Sequence, residues 1–231
     1  MLTAIDTLFL DAGGVIVQPG WARVSAALAH EGIAVTAAAL RAVDARARRD
    51  IDESYLIGRT TDHSRGWEYF NRVLAHAGIP RSTATDAALA ALQEYHRTEN
   101  LWEEICDGAA ETLPALRALG VTMVVVSNAN GRLQHAFRRL DLARWFDHVL
   151  DSHDWGVEKP DPRLFLHALE AAGASADRTI HVGDLYHVDV AGARAAGLRD
   201  AVLLDPHDLY PAADCTRIRR LQDLVPLVQG R

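Results

Sequence analysis

Lysine is almost absent from this chain. Of its 24 lysine and arginine residues, only Lys159 is a lysine. A bias toward arginine accounts for the other positions and makes the surviving lysine informative. An ammonium is a compact point charge, and a planar guanidinium fork cannot replace it in a tight site. Cysteine is equally scarce. Two isolated thiols, Cys106 and Cys215, make neither a disulfide framework nor a zinc site. They suit a reducing cytoplasm, the expected location. No stretch approaches the roughly 20 apolar residues of a membrane helix. The N-terminus lacks a basic region and meets Asp6 and Asp11 early, unlike a signal peptide. A basic stripe for phosphate backbones is missing too, at a formal net charge of −7. The arginines of Ala45–Arg49 run straight into Asp50, Asp52 and Glu53, which reads as a solvated helix face. No histidine pair has metal-ligand spacing on a helix face. Membrane and nucleic acid are therefore not expected partners.

What remains is an ordinary globular composition, 49% hydrophobic and 24% charged over 231 residues. That fits one large domain or a domain with an insertion. Ile5–Leu10 is an apolar run of strand length that ends at Asp11-Ala12-Gly13-Gly14, a tight strand-to-loop transition. Residues from about 21 to 102 read as helical. Leu40, Val43, Ala47, Ile51 and Tyr55 recur at helical spacing, as do Trp67, Phe70 and Leu74, while Gly32, Gly58 and Gly78 fall where helices would end. Trp67, Tyr69 and Phe70 could line a pocket or form a helical core; Trp21 follows Pro19-Gly20 at the entry to this stretch.

Beyond about 107 the pattern alternates. Strands are expected at Val121–Val126, His148–Leu150, Thr179–Val182 and Ala201–Leu204. Helices are expected between them at Gly131–Leu140, Pro162–Ala172 and Val188–Ala196. Such alternation predicts an α/β doubly wound parallel sheet with helices on both faces. The helical stretch then becomes an all-α insertion, with a core of residues 1–16 and 103–231 and an inserted domain of 17–102.

Four segments fall at the C-terminal ends of these strands, where open parallel sheets bind ligands. They are Asp11–Gly14, Ser127-Asn128, Lys159-Pro160, and Gly183-Asp184 with Asp189 five residues on. Singly, each matches a common cap or turn. Together and in this order, they resemble the four motifs of the haloacid dehalogenase-like superfamily. Phe9–Val15, Val125–Asn128, Gly156–Pro162 and His181–Ala193 carry the resemblance, which spans the chain. It implies a Rossmann-like core of strand order 5-4-1-2-3, with the helical insertion as a cap that sets specificity and closes over the site.

The resemblance also implies roles. Asp11 would be a covalent nucleophile. Asp11, Asp184, Asp189 (directly or through water) and the backbone carbonyl of Gly13 would hold Mg²⁺. Lys159 would neutralise the nucleophile and the phosphoryl oxygens. Ser127 and a backbone N–H near Asn128 would hold the transferring group. The substrate would be a small phosphorylated molecule, and the chain a monomer or homodimer.

One residue departs from the pattern. Most phosphatases of the superfamily carry a second aspartate two residues after the nucleophile, as general acid and base. Here Gly13 stands there, and glycine cannot transfer a proton. Three readings follow. His187, after the fourth motif, or His63, in the cap loop Arg59–His63 beside Arg65, could supply the proton. The leaving group could need none, as with acyl phosphate or with halide in 2-haloacid dehalogenation; the retained Asp184 and Asp189 argue against halide. Or the protein could bind a phosphorylated ligand without turnover. Carbon–phosphorus cleavage through a cap lysine is excluded, because the cap has no lysine.

Overall fold

The structure is a computed structural model and describes residues 5–52 and 62–230. It divides into two compact units, Met1–Gln18 with Ile105–Arg231, and Pro19–Glu104. In chain order the strands are β1 (Thr7–Leu10), β2 (Val17–Pro19), β3 (Trp102–Ile105), β4 (Thr122–Ser127), β5 (His148–Asp151), β6 (Thr179–Gly183), β7 (Asp200–Leu204) and β8 (Thr216–Ile218). β2 and β3 pair in a small sheet of their own where the chain passes between the units.

The larger unit is built on a six-stranded sheet, ordered β5-β4-β1-β6-β7-β8 and parallel throughout. Its first five strands follow the expected order. β8 is an additional edge strand, too short to show in the sequence as an apolar run. The register sets Phe9 beside Val124 and His181, with Leu10 beside Val125 and Val182. Both faces are covered. Phe9, Val124, Val126, Ala201 and Leu203 pack with Leu164, Phe165 and Ala168 of the helix Pro162–Ala172. The alternate residues Leu8, Leu10, Met123, Val125, Ile180 and Val182 are buried as well. This is why the strands read as continuous apolar runs rather than alternating ones. Each such side chain contributes about 1.5–3 kcal/mol of burial.

The smaller unit is helical, with Trp21–His30, Ala37–Ile51, Asp62–His76 and Thr83–Thr98 around their own core. Thr36 caps the second helix by accepting from the Ala39 N–H, and Ser82 with Thr85 forms a capping box on the fourth. Gly32 and Gly78 follow helix ends with φ of +80° and +76°. Gly58, Tyr55 and Arg59 lie outside the described residues. Trp21, Tyr69 and Phe70 are fully packed, and Trp67 stacks on Phe70 at 5.5 Å. These aromatics form core rather than a pocket. His63 falls in the first turn of the helix Asp62–His76 rather than in a loop, because the helix starts before the apolar periodicity does. The side chains of His63 and Arg65 lie outside the described ones.

Candidate active site

β4, β1 and β6 are adjacent, so their C-terminal ends bring Ser127, Asp11 and Gly183-Asp184 to one edge of the sheet. Asp11 extends the ladder one residue past β1, its N–H donating to the Val182 carbonyl at 2.9 Å. The chain then turns sharply. The Ala12 carbonyl accepts from the N–H groups of Ile16 and Val17, both at 2.9 Å, and Gly14 takes φ +76°. Gly13 is half-buried in this turn.

Lys159 arrives from the loop after β5, with a cis peptide bond to Pro160. It is 1% exposed, and its ammonium lies 2.9 Å from Asp11 Oδ1 and 2.6 Å from Asp189 Oδ1. The side chain of Asn128 is committed to the backbone of Lys159. Oδ1 accepts from the Lys159 N–H at 2.7 Å, and Nδ2 donates to the Lys159 carbonyl at 3.0 Å. The resemblance assigns substrate contact to a backbone N–H near Asn128; the side-chain amide of Asn128 is used inside the protein.

Asp189 is also engaged by protein groups. Oδ1 accepts from Lys159 and makes a 2.9 Å hydrogen bond with His181 Nε2, while Oδ2 accepts from the Leu185 N–H at 3.0 Å. Sequence reasoning did not single out His181. The available signal was its place in an apolar strand, where a buried imidazole needs a partner. The loop Tyr186–Val190 is a π-helical turn, followed by a short helix, Ala191–Ala195, instead of one helix starting at Val188. It carries Asp189 back beneath Gly183.

Electrostatics follow from this crowding. Burial pushes the Asp11 carboxyl above the usual range, although the Lys159 ammonium opposes the shift; neighbouring Asp189 reinforces it. Burial acts on Asp189 as well, but Lys159 and His181 outweigh it and hold that carboxyl well below its ordinary value. Burial would release the Lys159 proton, yet the Asp11 and Asp189 charges keep it on. His181 is pushed down by burial, which favours the neutral ring.

The carboxylate oxygens of Asp11, Asp184 and Asp189 lie within 4.8 Å of one another. Such a buried group of hard oxygen donors is of the kind that holds a divalent ion, and Mg²⁺ would be held by Asp11, Asp184 and the Gly13 carbonyl, with Asp189 directly or through water. His187, half-buried against the Tyr186 ring at 5.2 Å, is not a member of that group. If the site binds the ion, Mg²⁺ should raise the thermal midpoint. A concentration of 100 Kd is worth about 2.7 kcal/mol. Asp184→Asn should abolish the rise, and an equal rise in that variant would rule the site out.

Two glycines of the fourth motif have no room for a side chain. A Cβ on Gly183 would sit 2.1 Å from Asp189 Cγ, and one on Gly192 would meet Phe165 Cε2 at 2.7 Å and the Pro160 backbone at 3.0 Å. Gly183→Ala should therefore cost about 1–3 kcal/mol of stability, because it forces Asp189 out of place. Urea denaturation checks this; an unchanged midpoint would contradict the packing.

A model of the haloacid dehalogenase-like hydrolases matches residues 5–197. The chain belongs to that family. It is 32% identical over 152 residues to haloacid dehalogenase-like hydrolase domain-containing protein 3 of Bos taurus, covering 66% of this chain and 60% of that protein. It is 35% identical over 159 residues to ribulose-1,5-bisphosphate 5-phosphatase of Halopiger xanaduensis, covering 68% and 64%. The matched segment thus spans less than two thirds of the length of these curated relatives. Among solved structures, a putative hydrolase of the family from Bacillus subtilis, bound to magnesium, superposes with a TM-score of 0.71 at 22% identity, covering 98% and 99% of the two chains. A 2-haloacid dehalogenase from Pseudomonas syringae pv. Tomato reaches 0.60 at 26% identity with the same coverage.

Proposed function

We propose that this hydrolase is a magnesium-dependent phosphatase acting on a small phosphorylated molecule through an aspartyl-phosphate at Asp11. The observation that carries the reading is the buried group of Asp11, Asp184 and Asp189 around a single ammonium. A dianionic phosphoryl group cannot approach three carboxylates unless positive charge is supplied. Lys159 supplies one charge, and a bound divalent ion supplies the rest and polarises the phosphoryl oxygens. Similarity to a protein named ribulose-1,5-bisphosphate 5-phosphatase supports the same reading.

In the first step an Asp11 carboxylate oxygen attacks phosphorus. The bond to the leaving oxygen breaks, and its electron pair departs with that oxygen. Lys159 offsets charge on Asp11 and on the transferring group, and Ser127 with a backbone N–H near Asn128 binds the phosphoryl oxygens. Water then attacks phosphorus and releases inorganic phosphate, which restores the Asp11 carboxylate. The helical unit is read as the cap that selects the substrate, and the two isolated thiols suit a cytoplasmic enzyme.

One observation favours a second reading. Gly13 offers no proton, and a halide leaving group needs none, so 2-haloacid dehalogenation is the alternative. The test is hydrolysis of p-nitrophenyl phosphate and acetyl phosphate with Mg²⁺ and with EDTA. Metal-dependent turnover supports the phosphatase. Its absence with both substrates would sink that reading, and chloride release from 2-chloropropionate would then establish the alternative.

A further inference from the structure

The loop that brings Lys159 to the carboxylates is held by one side chain. Asn128 stands directly after the last residue of β4 and faces both polar backbone groups of Lys159. Its Oδ1 accepts from the N–H at 2.7 Å and its Nδ2 donates to the carbonyl at 3.0 Å. A primary amide carries an acceptor oxygen and a donor nitrogen on one carbon, which lets it pair with an N–H and a carbonyl at once. Aspartate would lose the donor and add a fourth carboxylate, and alanine would lose both bonds.

Asn128 is itself anchored. The Ser152 hydroxyl accepts from the next N–H, that of Ala129, at 3.1 Å. The buried carboxylate of Asp151 accepts from Gly131 at 2.8 Å and Leu133 at 3.2 Å. Both anchors lie at the end of β5, whose Asp151 is paired with Ser127 in the sheet. A rigid sheet edge thus fixes the loop of Asn128, and Asn128 fixes the backbone of Lys159. The ammonium sits at the far end of a flexible four-carbon stem, so its position between Asp11 and Asp189 depends on where that backbone is held.

We propose that Asn128 is the positioning residue of Lys159, acting through the lysine backbone and not on the substrate. Its expected effect on turnover rests on the phosphatase reading, but its structural effect does not. The chain has one lysine, so lysine labelled with ¹³C at Cε gives a single side-chain signal, that of Lys159. In the wild type this signal should stand apart from that of an exposed lysine. In Asn128→Ala it should move or broaden, and in Asn128→Asp, which keeps the acceptor, it should move less. A surface control, Arg81→Ala, should leave it unchanged. Far-ultraviolet circular dichroism and the thermal midpoint show whether each variant is folded, and Asn128→Asp serves if the alanine variant is not.

On turnover, a displacement of about 1 Å costs on the order of 10²-fold. Asn128→Ala should therefore lower kcat by about that factor with KM nearly unchanged. It should add little to the loss in Lys159→Met, because both act through one ammonium. A Lys159 signal identical in wild type and Asn128→Ala would overturn the proposal. So would a raised KM with kcat intact, which would place the amide on the substrate. A wild type without phosphatase activity would remove the phosphatase reading alone, and the lysine signal would still decide the role of Asn128.

Discussion

Asp11→Asn is expected to lower magnesium-dependent turnover of p-nitrophenyl phosphate by at least about a thousandfold, roughly 4 kcal/mol of barrier. An amide in place of the carboxylate still fits beside Lys159 but cannot attack phosphorus at a comparable rate. The same substitution should not destabilise the metal-free protein. Burial raises the folded-state value for Asp11, so the native state holds that proton more tightly than the unfolded chain does. The sign follows directly: ionised Asp11 costs stability at neutral pH, and the cost is relieved as pH falls through the raised value. A neutral asparagine removes the cost at all pH values. In EDTA at pH 7, the urea midpoint of Asp11→Asn should therefore equal or exceed that of the wild type. Lost activity with a lowered midpoint would mean that the variant has merely unfolded. Retained activity would remove Asp11 as the nucleophile.

The parts of this site that were legible in the sequence are those fixed by local chemistry. Apolar runs of strand length marked the four inner strands of the sheet, β4, β1, β6 and β7, since burial on both faces leaves no place for alternation, and the short run His148–Leu150 marked the edge strand β5. The polar residues at their ends marked Asp11, Ser127 and Asp184 as candidates, because a parallel sheet collects its strand ends along one edge; Lys159, the one lysine of the chain, lies beyond the short helix Ser152–Trp155 that follows β5. What stayed hidden was set by contacts between segments far apart in the chain. β8 is three residues long and contains Arg217, so it has no apolar signature; pairing with β7 makes it a strand. The bond between His181 and Asp189 needs the π-helical turn, whose extra residue per turn no periodicity announces. The side-chain role of Asn128 also stayed hidden, because only the return of the chain after β5 brings the Lys159 backbone to its amide. His63, offered as a proton donor from a loop, instead lies in a helical turn, and His187 is not a member of the group of carboxylates that could hold a metal.

Gly13 sets the second large effect. With glycine two residues after the nucleophile, the phosphatase reading leaves the departing oxygen to leave as an anion. General acid help is worth 10²–10⁴-fold, and it matters most for the poorest leaving groups. Across aryl and alkyl phosphates, kcat/KM should therefore fall steeply as the leaving group becomes more basic, while acetyl phosphate remains a good substrate. Water attack on the aspartyl-phosphate also lacks a base at this position. Product should then appear in a near-stoichiometric burst with activated substrates, followed by a slower steady rate common to them. Gly13→Asp restores the carboxyl in a half-buried turn. It should raise kcat/KM for an alkyl phosphate by about 10²-fold, with little gain for acetyl phosphate, and shorten the burst. A flat dependence on leaving-group basicity in the wild type would show that another residue already donates the proton. His187→Ala and His63→Ala, measured with the same alkyl phosphate, would then identify it. If the steep dependence is found and Gly13→Asp flattens it, the missing carboxyl explains which phosphates this site can cleave, and the natural substrate belongs among those whose leaving group departs without a proton.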